Sequence, residues 1–472
     1  MTARTTPLPL PGGRLAVPAN RWDLLDGMEP DPAPSVSVVI AYYDGQRRLD
    51  RMLNALAGQT HPLDRLEVIV ADDGSPTPPV IPAIPGLRVQ IVRQEDRGFR
   101  AAAVRNLGAA AAGGDVLCFL DDDTLPEPGY VAALARLPAL APDALVTGRR
   151  RHVDLTGLDD RGVSAWLRGA DRPPGRELPE PQWLRDEHRA SANLLRFGPD
   201  AHRYVISAVM ACHLRLFDEL GGFDPGFIRY GGEDWEFAHR ALCAGAVLAH
   251  VSGAVAWHDG PSWAERGDAS TRRRQKNAET AALLGLIPPS RRRGPVWTGR
   301  PDVVMEIGTD GEDPAAVIVA VCSVLAGDID AGVWLLGEPG LTLAEKAFAR
   351  DPRVNAGPAE DTACASARLR ATCTRPLRVA TTAWGTLVGA LGRYGDSHRP
   401  GRVVVRTDDG DLVLTLSAAV RRARRWAAAA PATDLVDELF GRVELDAAAT
   451  GVSAVARAPD LAHELKHLRD PR

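Results

Sequence analysis

Residues 117–124 read Leu-Cys-Phe-Leu-Asp-Asp-Asp-Thr, an apolar run that passes straight into three consecutive carboxylates. An apolar strand ending in acids puts negative charge at the mouth of a sheet, which costs free energy unless a cation lies there. A divalent metal carrying a nucleotide pyrophosphate meets that need, because hard cations take oxygen ligands. A solvated turn after a strand is the plainer reading, since Asp is a common turn residue. The segments on either side decide between the two.

Upstream, 35–43 (Ser-Val-Ser-Val-Val-Ile-Ala-Tyr-Tyr) is a β-branched run of the kind that fills a buried parallel strand. Leu49, Met52, Leu53 and Leu56 follow at helical spacing and form one apolar face. Two more strands are expected, 66–71 ending in Asp72-Asp73-Gly74-Ser75 and 89–92 leading to Arg97-Gly98. A helical run over 101–112 then precedes the strand that stops at Asp121. Strands alternating with helices predict a doubly wound, mostly parallel α/β sheet, with ligands beyond the carboxyl ends of its strands. Asp72, Arg97 and Asp121 all fall at that edge.

The text VSVVIAYYDG, LAGQTHPLDRLEVIVADDGS, VRQEDRGFRAAAVRNLGAAAAGGDVLCFLDDDTLPEPGY and GGFDPGFIRYGGEDWEFAHRA resembles the family 2 nucleotide-sugar glycosyltransferases of GT-A fold. The resemblance covers about residues 35–265, and its motifs occur in the expected order. It implies that Asp121 and Asp123 bind a metal and the sugar pyrophosphate, with Asp122 beside them. It implies further that Asp72 reads the base, and that Ala41, Tyr43, Arg97 and Arg105 complete the nucleotide-sugar site. Ala41-Tyr42-Tyr43-Asp44 departs from the Pro-Thr-Tyr-Asn of many members.

Residues 230–236, Tyr-Gly-Gly-Glu-Asp-Trp-Glu, form the second informative segment. Paired glycines permit unusual dihedrals, so Gly232 can aim the acids that follow into a pocket. A helix after them would hold Glu233 and Asp234 at its N-terminus, where negative charge is favoured; ordinary N-capping is the competing account. In similar inverting transferases the Asp of this segment takes the acceptor proton, which implies Asp234 as base and Glu233 as its neighbour. His258 closes the apolar run 254–257, and a lone His there is commonly just a hydrogen-bonded residue. Related enzymes place a third metal ligand at this relative position, which implies a site of Asp121, Asp123 and His258. Mixed carboxylate and imidazole donors suit Mn²⁺, with Mg²⁺ next.

Composition bounds the function. With 472 residues, 45% hydrophobic and 25% charged, the chain can bury two or three cores. A net charge of −5 argues against a nucleic-acid partner. The six cysteines have no zinc or redox spacing and read as buried reduced thiols, which fits a reducing cytoplasm. No lysine follows a glycine as a phosphate-binding P-loop requires, and no G-x-G-x-x-G follows the first strand. Residues 1–34 are proline-rich with no signal-peptide core, and the apolar run 315–326 is too short to span a bilayer.

The expected organisation is an N-terminal extension 1–34, a catalytic domain 35–286, a Pro/Arg linker 287–300 and a smaller α/β domain 301–472. The last opens strand, helix, strand, strand like the first, which suggests a degenerate repeat without a second acidic Gly-Gly segment. Arginine clusters at 149–151, 272–274, 291–293 and 421–425 read as solvated faces or linkers, or as docking points for anionic lipid at the inner membrane face. The expected partners are a nucleotide sugar, UDP-linked by resemblance of the Gly-Gly-Glu-Asp segment, and a glycan, lipid-linked or small-molecule acceptor. A nucleotidylyltransferase and a non-catalytic module are the rival functions; the first lacks its glycine-rich phosphate loop and lysine here, and the second is opposed by the intact acids.

Overall fold

The computed structural model describes all residues except 1, 168–174, 266, 289–292, 295–296, 338–341, 392–399, 432–433 and 470–472. Arg291 and Arg292 of the third arginine cluster, and part of the expected linker, therefore lie outside the described residues. The chain divides into two compact units. One comprises Pro7–Ala241 and Ala246–Ala282; the other comprises Met1–Thr6, Leu242–Gly245 and Leu283–Arg472.

The first unit is built on a nine-stranded sheet. Its elements include β1 (Val36–Tyr42), α1 (Gln46–Ala57), β2 (Leu66–Asp72), β3 (Arg88–Arg93), α2 (Ala101–Ala110), β4 (Val116–Asp121), β5 (Thr124–Pro126), α3 (Tyr130–Leu140), β6 (Ala144–Asp154), β7 (Arg176–Leu178), α4 (Gln182–Ala190), β8 (Val209–His213), α5 (Glu233–Cys243) and β9 (Val247–Asp259). The strand order is β3-β2-β1-β4-β8-β6-β9-β5, with β7 against β6. Pairing is parallel from β3 to β4, antiparallel on both sides of β8, and parallel again between β6 and β9.

The β-branched runs fill the centre. Val38, Val39 and Ile40 of β1 are fully buried, as are Leu49, Met52, Leu53 and Leu56 of α1. Each such side chain stabilises the fold by about 1.5–3 kcal/mol. Helix α2 approaches β1 so closely that a Cβ at Gly108 would lie 2.4 Å from Val39 Cγ1, which only glycine permits.

From Pro7 on, the proline-rich stretch is part of this unit. Val17 and Leu25 join its core. The Asn20 amide donates to the carbonyls of Leu194 and Leu248 at 2.7 and 2.9 Å, and Leu248 N–H donates to Asn20 Oδ1 at 2.7 Å.

The second unit has a seven-stranded sheet. Its elements include β10 (Val303–Gly308), α6 (Pro314–Ala326), β11 (Ala331–Leu336), β12 (Val354–Ala356), β13 (Leu369–Cys373), β14 (Arg402–Thr407), β15 (Gly410–Leu416), α7 (Leu435–Phe440) and β16 (Arg442–Asp446). The order is β12-β11-β10-β13-β15-β14-β16, parallel from β12 to β13, antiparallel around β15, and parallel at β14–β16. The apolar run 315–326 is the buried helix α6, and Asp408-Asp409 is the β14–β15 hairpin turn. No described helix is long and apolar enough to cross a membrane.

Candidate active site

Strand β4 delivers Asp121 to the sheet edge, and the Asp122-Asp123 turn leads into β5. Arg105, projecting from α2 and 4% exposed, donates from Nη2 to Asp121 Oδ1 at 2.8 Å and from Nη1 to Glu233 Oε1 at 3.0 Å. One buried guanidinium therefore joins the two acidic segments, which are 112 residues apart in sequence between Asp121 and Glu233. Burial opposes its charge, but the two carboxylates outweigh that and hold it well above the ordinary arginine range.

The three acids of the turn have different surroundings. Asp122 is 8% exposed, and burial pushes it up to about 7 although Arg48 Nη2 donates to it at 3.0 Å. Asp123 feels burial too, but its contacts with His258 and Thr124 prevail and keep it below the usual carboxylate range. His258 Nδ1 is 3.1 Å from Asp123 Oδ1. The pairing is set by register, because His258 of β9 lies opposite Thr124 of β5.

These groups line a cavity of about 500 Å³ together with Ala41, Tyr43, Asp73 and Arg150. A second cavity of about 860 Å³ shares Phe99, Arg105, Asp121, Arg150 and Tyr230 with it and holds Gly232, Glu233, Asp234 and Trp235. Gly231 and Gly232 have φ of 93° and 98°, a left-handed conformation that positions α5 to start at Glu233. Both acids thus occupy the first helical turn. Burial and the neighbouring Glu233 charge raise Asp234, whose Oδ1 accepts from Trp235 N–H at 2.9 Å. Trp235 carries Lys276 Nζ 4.3 Å and the Arg203 guanidinium 5.2 Å from its ring centre.

Ala41, Tyr43, Arg105, Asp121, Asp122, Asp123, Gly232, Glu233, Asp234 and His258 thus come together on these two cavities. Asp72 and Arg97 do not. Asp72 is fully buried, its Oδ1 accepting from Ser75 N–H and Oγ, while its neighbour Asp73 faces the cavity. Alternation along a strand end explains the exchange: consecutive side chains leave on opposite sides. Arg97 is exposed and paired with Glu95 at 2.8 Å. Among the described residues no cluster of three or more His, Cys, Asp or Glu groups has metal-holding geometry. Asp123 and His258 touch, whereas Asp121 is engaged by Arg105.

Sequence reasoning missed Arg48, Asp73, Phe99, Arg150 and Tyr230. The second of the paired acids after β2 was the available signal for Asp73. The cluster 149–151 is no solvated face: it lies in β6, where Arg149 pairs with Glu180 at 2.6 Å and Arg151 covers the Trp257 ring at 4.1 Å. In the cluster 421–425, Arg422 is 1% exposed and packs over Phe440.

Residues 37–194 match Glycosyl transferase family 2, and residues 190–256 match the N-terminal domain of galactosyltransferase. The validoxylamine A glucosyltransferase of Streptomyces hygroscopicus subsp. jinggangensis is 34% identical over 235 residues, 46% of this chain and 53% of that protein. The chondroitin synthase of Escherichia coli is 30% identical over 275 residues, 54% of this chain and 38% of that protein. The chain therefore spans about half or less of these relatives' own lengths. A solved mannosyltransferase from Pyrobaculum calidifontis, in complex with GDP-Man and Mn²⁺, aligns with 54% of this chain and 66% of its own at 20% identity and a TM-score of 0.37. Through the segment that carries the acidic turn, this chain is similar to glycosyl transferase family 2.

Proposed function

We propose that the chain transfers a sugar from a nucleotide sugar to an acceptor hydroxyl, with inversion at the anomeric carbon. The observation that carries this reading is Arg105, which ties Asp121 on the donor side to Glu233 beside Asp234. The nucleotide would lie in the smaller cavity, against Ala41 and Tyr43, with Asp73 rather than Asp72 positioned to meet the base. Asp123 and His258, with Asp121 next to them, offer oxygen and nitrogen donors that fit a divalent cation, Mn²⁺ or Mg²⁺. Such an ion would supply neutralising charge for the departing nucleoside diphosphate.

The acceptor would occupy the larger cavity. Asp234 takes the hydroxyl proton as the acceptor oxygen bonds to the anomeric carbon, and the bond to the diphosphate oxygen breaks with its electron pair leaving on the nucleotide. The raised affinity of Asp234 for a proton suits a base working near neutrality. Glu233 orients the acceptor and is itself held by Arg105.

The test is incubation of the purified chain with a panel of nucleotide sugars and Mn²⁺. Slow donor hydrolysis is expected, UDP-linked donors leading, and UDP with Mn²⁺ should raise the melting temperature more than GDP or dTDP. Release of pyrophosphate instead, or retention of configuration in the product by NMR, overturns the mechanism.

A further inference from the structure

A third cavity, of about 410 Å³, shares Arg150, Glu180, Arg185 and Ile206 with the cavity over Asp234. Its walls are β6, α4 and β9, and its charge is one-sided: Arg149, Arg150, Arg185 and Arg189 against Glu180. Arg149 is neutralised by Glu180 at 2.6 Å, and Arg189 is 3.8 Å from the solvent-facing Asp186. Among the described residues, Arg150 and Arg185 make no ion pair.

On the cavity floor His188 and His250 stack with ring centres 3.7 Å apart and planes inclined by 13°. His250 is 8% exposed. Burial, with His188 and Arg149 close by, pushes it down to about 3, so the ring is neutral. Its Nδ1 lies 2.9 Å from Asn193 Oδ1, and the tautomer that satisfies this contact has its proton on Nδ1. Nε2 is then a buried lone pair with no hydrogen-bond partner. A buried acceptor left unmatched is costly, and arginines beside it call for an oxyanion.

We infer that this cavity seats an acidic sugar unit of the acceptor. Its oxyanion, a carboxylate or a phosphate, lies among Arg150, Arg185 and Arg189, and a neighbouring hydroxyl donates to His250 Nε2. A bare anion has no proton for Nε2, and a neutral sugar leaves the arginines unmatched. The inference rests on the acceptor reading of the adjoining cavity.

Calorimetric titration of the full chain with methyl β-glucuronide, glucose 6-phosphate and methyl β-glucoside tests it. Both acidic probes should bind about tenfold or more tighter than the neutral glucoside, as expected for charge-assisted contacts, and should weaken as salt is added. Whichever acid binds tighter identifies the oxyanion. The R185A/R189A double variant, altered at the exposed rim where folding is undisturbed, should bring the three probes within about twofold of one another. His250→Phe should weaken all three. Equal binding of acidic and neutral probes, no binding of any, or a preference that survives R185A/R189A overturns the inference. UDP binding and donor hydrolysis by the same protein report on the transferase reading separately, so either idea can fail alone.

Discussion

The two sheets of this chain follow one plan and end differently. Numbering the seven shared strands of each unit in chain order, both run 3-2-1-4-6-5-7, with the same parallel and antiparallel steps. In the first unit the fourth strand opens into Asp121-Asp122-Asp123 and a cavity of about 500 Å³. In the second the fourth strand runs into Thr374-Arg375, and Arg375 pairs with Glu312 at 2.7 Å. Thr309 Oγ closes the adjacent strand end by donating to the Leu336 carbonyl at 2.9 Å. The helix before the last strand presents Glu233 and Asp234 to a cavity in the first unit, whereas in the second Arg402 engages Asp434 and Asp437 at 2.6 and 2.8 Å. Strand order thus supplies a platform, and the loop residues on its carboxyl edge decide whether chemistry is possible there.

The strongest way to break this contrast is Arg105→Ala. It strips the partner from Asp121 and Glu233 at once, and removing one member of a buried ionic network costs about 3–5 kcal/mol. Denaturant unfolding of the first unit should show that loss, and an unchanged midpoint would mean the bridge is ornamental. Asp234→Asn comes next. It should lower turnover by about 10²-fold or more while UDP binding holds, since the amide cannot take a proton. Because Asp234 is raised, wild-type turnover should climb as pH rises through the weakly acidic range, and the variant should lose that limb. The matched change Asp437→Asn in the second unit should leave turnover alone.

Asp123→Ala is expected to abolish the Mn²⁺-dependent part of UDP binding with the fold intact, as measured by titration with and without the metal. His258→Ala should be milder, because carboxylates remain. Smallest of all is Arg375→Ala at the closed edge of the second sheet: its effect on donor hydrolysis should be undetectable, and a clear loss would give that unit a share in the reaction.

Local pattern made the parallel half of the first sheet readable. The runs at 36–42, 66–72 and 116–121 are continuous and β-branched, and the carboxylates that end them mark the edge where ligands gather. His258 was legible through its place at a strand end, although only the β5–β9 register brings it to Asp123. The opening strands of the second unit were legible for the same reason as those of the first. The antiparallel strand β8 and the long β6 were not, because their neighbours come from distant sequence. Arg149–Arg151 read as solvent-facing charge, and only tertiary pairing with Glu180 shows otherwise. Which of Asp72 and Asp73 faces the cavity turned on a half-turn of the backbone that composition cannot resolve.

Asn20 has a consequence in time as well as space. Its amide is stitched to Leu248 on β9, the strand that later presents His258, across 228 residues of sequence. On the ribosome residue 20 emerges long before its partner exists, so the stitch closes only after nearly the whole first unit has been made. Contacts so distant in sequence form late and slowly. The His258 side of the site is therefore synthesised last, 135 residues after Asp123 of the acidic turn it meets.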